Sequence, residues 1–203
     1  MPWRAVPGCF APTLSVRVQL AAGNREECYF GPRQLPAKSE EEGRPAVTTL
    51  IIGLGNSLLR DDAVGLRVAR QVRAALSGRE DIEVAEETCG GLRLMERMIG
   101  FDRAILIDAV RSGRPPGTVL TLDPRDMRTQ HSASSHDVNL PTALAFGRRT
   151  GARLPADDRL SIIAIEAEDV ETFGEEMTAA VEAAVPSATA RVLTVLDQDR
   201  EAR

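Results

Sequence analysis

Cysteine, histidine, aromatic side chains and net positive charge are all scarce in this 203-residue chain, and several of these shortages exclude a class of function. Cys9, Cys28 and Cys89 are odd in number and lack metal-type spacing, which argues against a disulfide framework and fits a reducing cytoplasm. A net charge of −5 offers no basic footprint for nucleic acid and no polybasic patch for a membrane surface. No apolar run approaches the ~20 residues that a bilayer-spanning helix needs. At the N-terminus, Arg4, prolines and Cys9 stand where a secretory signal would carry its apolar stretch. What remains, 43% hydrophobic and 27% charged, is the composition of an ordinary globular protein. The length suits one domain of about 150 residues with an appendage.

Residues 1–46 stand apart. They hold six of the twelve prolines, four of the seven aromatic residues and the run Lys38-Ser39-Glu40-Glu41-Glu42. Leu14 to Leu20 alternates like a short strand, but nothing regular follows it. This stretch is expected to be a poorly ordered extension, followed by a domain over 47–197 and a short tail over 198–203.

From Val47 the pattern is regular. Val47 to Leu54 is a β-branched-rich apolar run suited to a strand buried on both faces. Val64, Val68, Val72 and Ala75 fall at helical spacing. Ile82 to Ala85 predicts a second strand, and Leu92 with Met95, Met98 and Ile99 a short helix. Ala104 to Val110 predicts a third strand, and Pro115-Pro116-Gly117 turns the chain into a fourth, Thr118 to Leu122, close enough for a hairpin. Leu140 to Phe146 reads as a helix that tolerates Pro141 only in its first turn. Leu160 to Ile165 is the last strand, and Met177 to Leu196 a closing helix expected to kink at Pro186. The order implies an α/β fold: a three-layer α/β/α sandwich around a mostly parallel sheet of about five strands, one of them antiparallel.

In such sheets ligands bind beyond the carboxyl ends of the strands. Three residues fall there by topology: Asp62 just after the first strand, Asp108 near the end of the third, and His136 in the loop before a helix. Two carboxylates and an imidazole suit a transition-metal ion or the hydrolysis of a polar bond. Each also has a plainer use. One of Asp61 and Asp62 can cap a helix, and the division expected here is Asp61 as cap and Asp62 as ligand. Asp108 ends an apolar strand, so it either caps the next turn or faces a polar cleft. His131 and His136 are the only histidines; His136 follows Ser134-Ser135 ahead of a helix, whereas His131 sits in a long polar loop and is assigned no role. Gly53-Leu54-Gly55-Asn56 invites a dinucleotide-binding reading, but Leu58 stands where that fingerprint needs a third glycine. The glycines are better read as a tight turn, with Asn56 bonding loop amides. Cys89, beside Gly90-Gly91, has no evident base to make it a nucleophile.

Taken in order, these segments resemble the hydrogenase maturation proteases, the endopeptidases that trim the large subunit of nickel-iron hydrogenases. The resemblance runs from about Thr48 to Leu196. It rests on Gly53 to Gly65, Thr88-Cys89-Gly90-Gly91, Asp108-Ala109, Pro116-Gly117-Thr118, Ser134-Ser135-His136, Ile165-Glu166 and Phe173-Gly174-Glu175. Two departures stand out: Asp62 where many members carry Glu, and Cys89 where many carry Thr. The resemblance implies a phosphorylase/hydrolase-like fold and a metal-contacting triad on Asp62, Asp108 and His136. It implies an endopeptidase, aspartic-type or nickel-dependent, that removes a C-terminal peptide from the large-subunit precursor after nickel insertion. The nickel would come with the precursor. A monomer in the cytoplasm, binding neither nucleic acid nor membrane, fits this picture. Two chemical routes stay open at this point: a metal that polarises the carbonyl or activates water, and an Asp acting as general base. The alternative is a metal-checking chaperone on the same fold, which would bind without cutting.

Overall fold

The computed structural model describes residues 49–124 and 139–201. His131 and His136, the expected N-terminal extension over 1–46 and residues 202–203 lie outside them, whereas 198–201 of the expected tail continue the last helix. The elements run β1 (Thr49–Leu54), a 3-10 turn (Asp61–Ala63), α1 (Val64–Ala75), β2 (Ile82–Glu87), α2 (Gly91–Arg97), β3 (Arg103–Val110), β4 (Val119–Leu122), α3 (Leu140–Arg149), β5 (Leu160–Glu166) and α4 (Ala179–Glu201).

The strands form one sheet in the order β2-β1-β3-β5-β4, parallel except for β4 against β5. Burial explains that order. Every residue of β1 is buried, as is nearly all of β3 and β5, so these three take the centre, where each has two hydrogen-bonding neighbours. The half-buried β2 and β4 take the edges.

The expected hairpin between β3 and β4 does not form. β5 lies between them, and β4 pairs with β5 in the register Val119↔Ile165 to Leu122↔Ile162. A β3–β4 hairpin would have left the apolar β5 at an edge, with one row of its amides and carbonyls unpaired.

Side chains alternate across the pleat, so the two faces of the sheet carry separate cores. Ile51, Ile105, Ile107, Ile163 and Ile165 pack with α1 and α4 on one face. Leu50, Ile52, Leu106 and Ile162 pack with α2 and α3 on the other. The α/β/α layering expected from the sequence is therefore present.

Asn139 caps α3 by accepting the Thr142 amide at 2.9 Å, and Pro141 sits in the first turn, where its missing N–H costs nothing. By length and composition alone α4 could cross a membrane. Its Val181, Ala184, Val185, Ala188, Val192 and Leu196 instead recur at helical spacing and are buried in the core. Pro186 lies inside this helix on its exposed side, and nearby hydroxyls bond helix carbonyls, Ser187 to Ala184 O at 2.8 Å and Thr189 to Val185 O at 2.9 Å.

Candidate active site

The start of α1 is pressed onto the carboxyl ends of β1 and β3, and glycine permits it. A Cβ on Gly65 would lie 2.2 Å from the Leu54 carbonyl oxygen and 2.5 Å from that of Ile107. Gly55, at φ +145°, brings the following loop back so closely that a Cβ there would meet the Asp62 carbonyl at 1.9 Å. These contacts carry residues 61–63 to the sheet edge. Gly65→Ala is accordingly expected to cost about 3 kcal/mol, roughly 6–12 °C in melting temperature. Calorimetry showing an unchanged Tm would mean that the helix can back away from the strands freely.

Within the loop, Asn56 accepts the Leu58 amide on its side chain at 3.0 Å and the Leu59 amide on its carbonyl at 3.1 Å, as the turn reading expects. The Asn56 amide in turn donates to Asp62 Oδ2 at 2.7 Å. That bond aims the Asp62 carboxylate back over the end of β1.

Asp108 stands two residues before the end of β3, in register with Ala164 of β5. It is half-buried. Burial and then the negative charge of Asp62 push its carboxyl up to about 7, with the Ala109 amide opposing them. The two aspartates therefore share one edge of the sheet and feel each other's charge. Among the described residues no group of three His, Cys, Asp or Glu side chains is placed to hold a metal ion. His136, the third residue expected here, lies outside them.

Asp61 is not the helix cap expected from the sequence. Neither the 3-10 turn nor α1 has a side-chain cap at its start. Asp61 is instead 0% exposed. Its Oδ2 accepts the Glu168 and Asp169 amides, each at 2.9 Å, and the Thr178 hydroxyl at 3.0 Å. Its Oδ1 accepts the Thr178 amide at 2.7 Å. The carboxylate thus ties residues 61–62 to the segment between β5 and α4, more than a hundred positions later.

Glu166, the last residue of β5, does similar work and was not singled out for a site role by sequence reasoning. It is 2% exposed. Oε1 accepts the amides of Ser112, Gly113 and Arg114 at 2.7, 2.8 and 3.2 Å, and Oε2 accepts the Ser112 hydroxyl at 2.6 Å. Burial alone would raise its pKa, but the Ser112 hydroxyl and the three amides outweigh it and hold the carboxyl below its usual range. Glu166 thereby fixes the loop that leaves β3 just after Asp108. The available signal was a charged residue closing an apolar strand, the same signal that marked Asp108.

Cys89 lies in the loop after β2, 3.7 Å from the Thr88 hydroxyl and 3.7 Å from an Arg93 nitrogen. No imidazole or carboxylate among the described residues bonds it. A cleft of about 690 Å³ opens at the ends of β3 and β5, lined by Arg111, Arg114, Glu166 and Glu168 among others. Asp62 and Asp108 do not line it.

Comparison with known proteins agrees with this architecture. The family described as hydrogenase maturation protease (HycI) matches residues 66–195. The hydrogenase expression/formation protein HupD of Rhizobium leguminosarum bv. viciae is 27% identical over 155 residues, 75% of each chain. The hydrogenase 2 maturation protease of Escherichia coli K12 is 28% identical over 150 residues, covering 72% of this chain and 89% of that one. Among solved structures, the hydrogenase maturating endopeptidase HybD from E. coli superposes with a TM-score of 0.61 at 28% identity, covering 75% of this chain and 93% of that one. With the family match spanning well over half of its length, and with the same sheet and helices, this chain belongs to the hydrogenase maturation protease family.

Proposed function

We propose that the protein is the endopeptidase that removes a C-terminal peptide from the precursor of a nickel-iron hydrogenase large subunit after nickel insertion, and that it recognises the nickel carried by that precursor. The reading is supported above all by the Asp62–Asp108 pair at the carboxyl edge of the sheet, in a chain of this family. Burial and the neighbouring charge hold a proton on Asp108 near neutral pH. A divalent cation arriving with the substrate offsets the Asp62 charge, so Asp108 gives up its proton to solvent and both oxygens become available as ligands. His136 supplies the nitrogen donor of the set, and mixed carboxylate and imidazole ligation suits a borderline ion such as nickel. A precursor without metal lacks this attraction and meets Asp108 still holding its proton beside Asp62. In this reading the protein acts as a monomer in the cytoplasm.

The decisive experiment compares nickel-loaded and nickel-free precursor. Wild-type protein is expected to shorten only the loaded form. Asp62→Asn and His136→Ala are each expected to reduce trimming by at least about a hundredfold, with cooperative melting retained. His136→Ala should weaken binding of the loaded precursor most, because it removes the only nitrogen ligand. Equal trimming of nickel-free precursor would remove the sensing role. Binding of the loaded precursor without any shortening would make the protein a chaperone.

A further inference from the structure

We propose that residues 167–178, between β5 and α4, form a preformed arm that docks the precursor polypeptide, taking an apolar side chain on Phe173 and a basic one on Glu175 and Glu176. The inference rests on the endopeptidase reading and deepens it.

Phe173 is 79% exposed, more than any other large hydrophobic residue described, and Leu58 on the paired segment is 59% exposed. An exposed aromatic on a slack loop would be unremarkable, but this loop is held at many points. Asp61 binds it at Glu168, Asp169 and Thr178. The Arg60 guanidinium donates to the Asp169 carboxylate at 3.2 Å and to the Glu176 carbonyl at 3.1 Å. Backbone bonds complete the tie, from Arg60 N to Thr172 O at 3.2 Å and from Gly174 N to Leu58 O at 3.0 Å, around a bridge between Leu59 and Phe173. Asp169 also accepts the Thr172 and Glu171 amides, which stiffens the turn just before the aromatic. The ring is therefore presented in water by a structure that would not have to be ordered on binding, the condition under which a single apolar anchor contributes most.

Charge identifies the occupant. Residues 167–178 include five acidic side chains and no basic one. Asp169 pairs with Arg60 and Glu171 with Arg111. Glu168, Glu175 and Glu176 have no ion-pair partner among the described residues. A cleft of about 410 Å³ is lined by Arg60, Thr172, Phe173, Gly174, Glu175 and Glu176, which joins the aromatic to two of these free carboxylates. Such a surface fits a polypeptide with an apolar residue beside a lysine or arginine. It does not fit a second copy of this chain, whose net charge is −5 and whose own arm is acidic. The segment paired with the arm, residues 58–60, leads directly into Asp62, so a chain lying on Phe173 is delivered to the aspartate pair.

The test uses full-length protein and nickel-loaded precursor in steady-state processing across a salt series. Phe173→Ser, a change at an exposed position, should leave Tm unchanged, raise KM about tenfold and alter kcat less than about twofold. The double change Glu175→Gln with Glu176→Gln should raise KM several-fold and flatten the rise of wild-type KM with salt. If the wild type trims the precursor and neither variant changes KM, the arm proposal is overturned and the endopeptidase reading stands. A fall in kcat at constant KM overturns it as well, as does light scattering that shows a wild-type dimer lost on Phe173→Ser. If the wild type trims nothing, the endopeptidase reading fails first and the arm falls with it.

Discussion

Asp61→Asn is expected to destabilise the domain by about 3 kcal/mol, although the change removes only one charge and keeps the shape of the side chain. Four donors converge on the two oxygens of Asp61, from Glu168, Asp169 and both polar groups of Thr178, in a place without solvent. Asparagine has one acceptor oxygen. Whichever way the amide turns, its NH₂ group faces at least one N–H or O–H that also needs an acceptor, and that donor is left buried and unpaired. Thr178→Val removes a single hydroxyl donor from the same cluster and should cost about 1 kcal/mol. Urea denaturation of the two variants should reproduce this ranking. Because the cluster also holds the turn that carries Asp62, Asp61→Asn should lower trimming activity too. A loss below about 0.5 kcal/mol would place Asp61 among ordinary surface substitutions and contradict its burial.

Asp108→Asn should have the opposite effect on stability and a larger one on function. The folded carboxyl titrates at about 7, against 3.8 for the free group. Below pH 4 both states keep the proton and the residue is neutral toward folding. Between pH 4 and 7 the unfolded chain ionises while the folded chain does not, so stability falls as pH rises; above 7 the cost is constant. The full cost is on the order of 2–4 kcal/mol, reduced by the solvent Asp108 still sees. Asparagine never ionises, so the variant should match the wild type at pH 4 and exceed it increasingly up to pH 7, in denaturant titrations at each pH. Its processing activity should be lost throughout. Equal stability of the two proteins at pH 8 would show that Asp108 is not held out of its charged form. A gain in stability together with a loss of activity is what a strained functional carboxylate predicts.

The strands and the layering were legible because their signal is local. β1, β3 and β5 are short, mainly apolar runs, and α1 repeats its valines at helical spacing. The pairing of β4 was not legible: an eight-residue link between Val110 and Val119 suits a hairpin as well as a passage over an intervening strand. Only the need of β5 for two neighbours decides, and that is a property of the whole sheet. Asp62 and Asp108 could be placed on one edge because position after a parallel strand determines the edge. Within the Asp61-Asp62 pair, the cap role expected of Asp61 was wrong. Asp61 was read against its own helix, whereas its partners lie in residues 168–178, and no spacing rule links positions so far apart. Glu166 escaped for the same reason, since its partners at 112–114 become neighbours only when β5 inserts beside β3.

The insertion of β5 has a consequence for the order in which the molecule can be assembled. β1, β2 and β3 can associate as soon as they have left the ribosome, but β4 has no partner until β5 has been made, about forty residues later. Until then the chain leaving β3 lacks Glu166, and the turn bearing Asp62 lacks the arm that Asp61 grips. Such long-range closures come late and slow folding. A nascent or truncated chain that ends before Glu166 can hold most of its first strands and helices, yet the sheet edge that carries Asp62 and Asp108 is incomplete in it. That edge is thus reserved for the finished polypeptide.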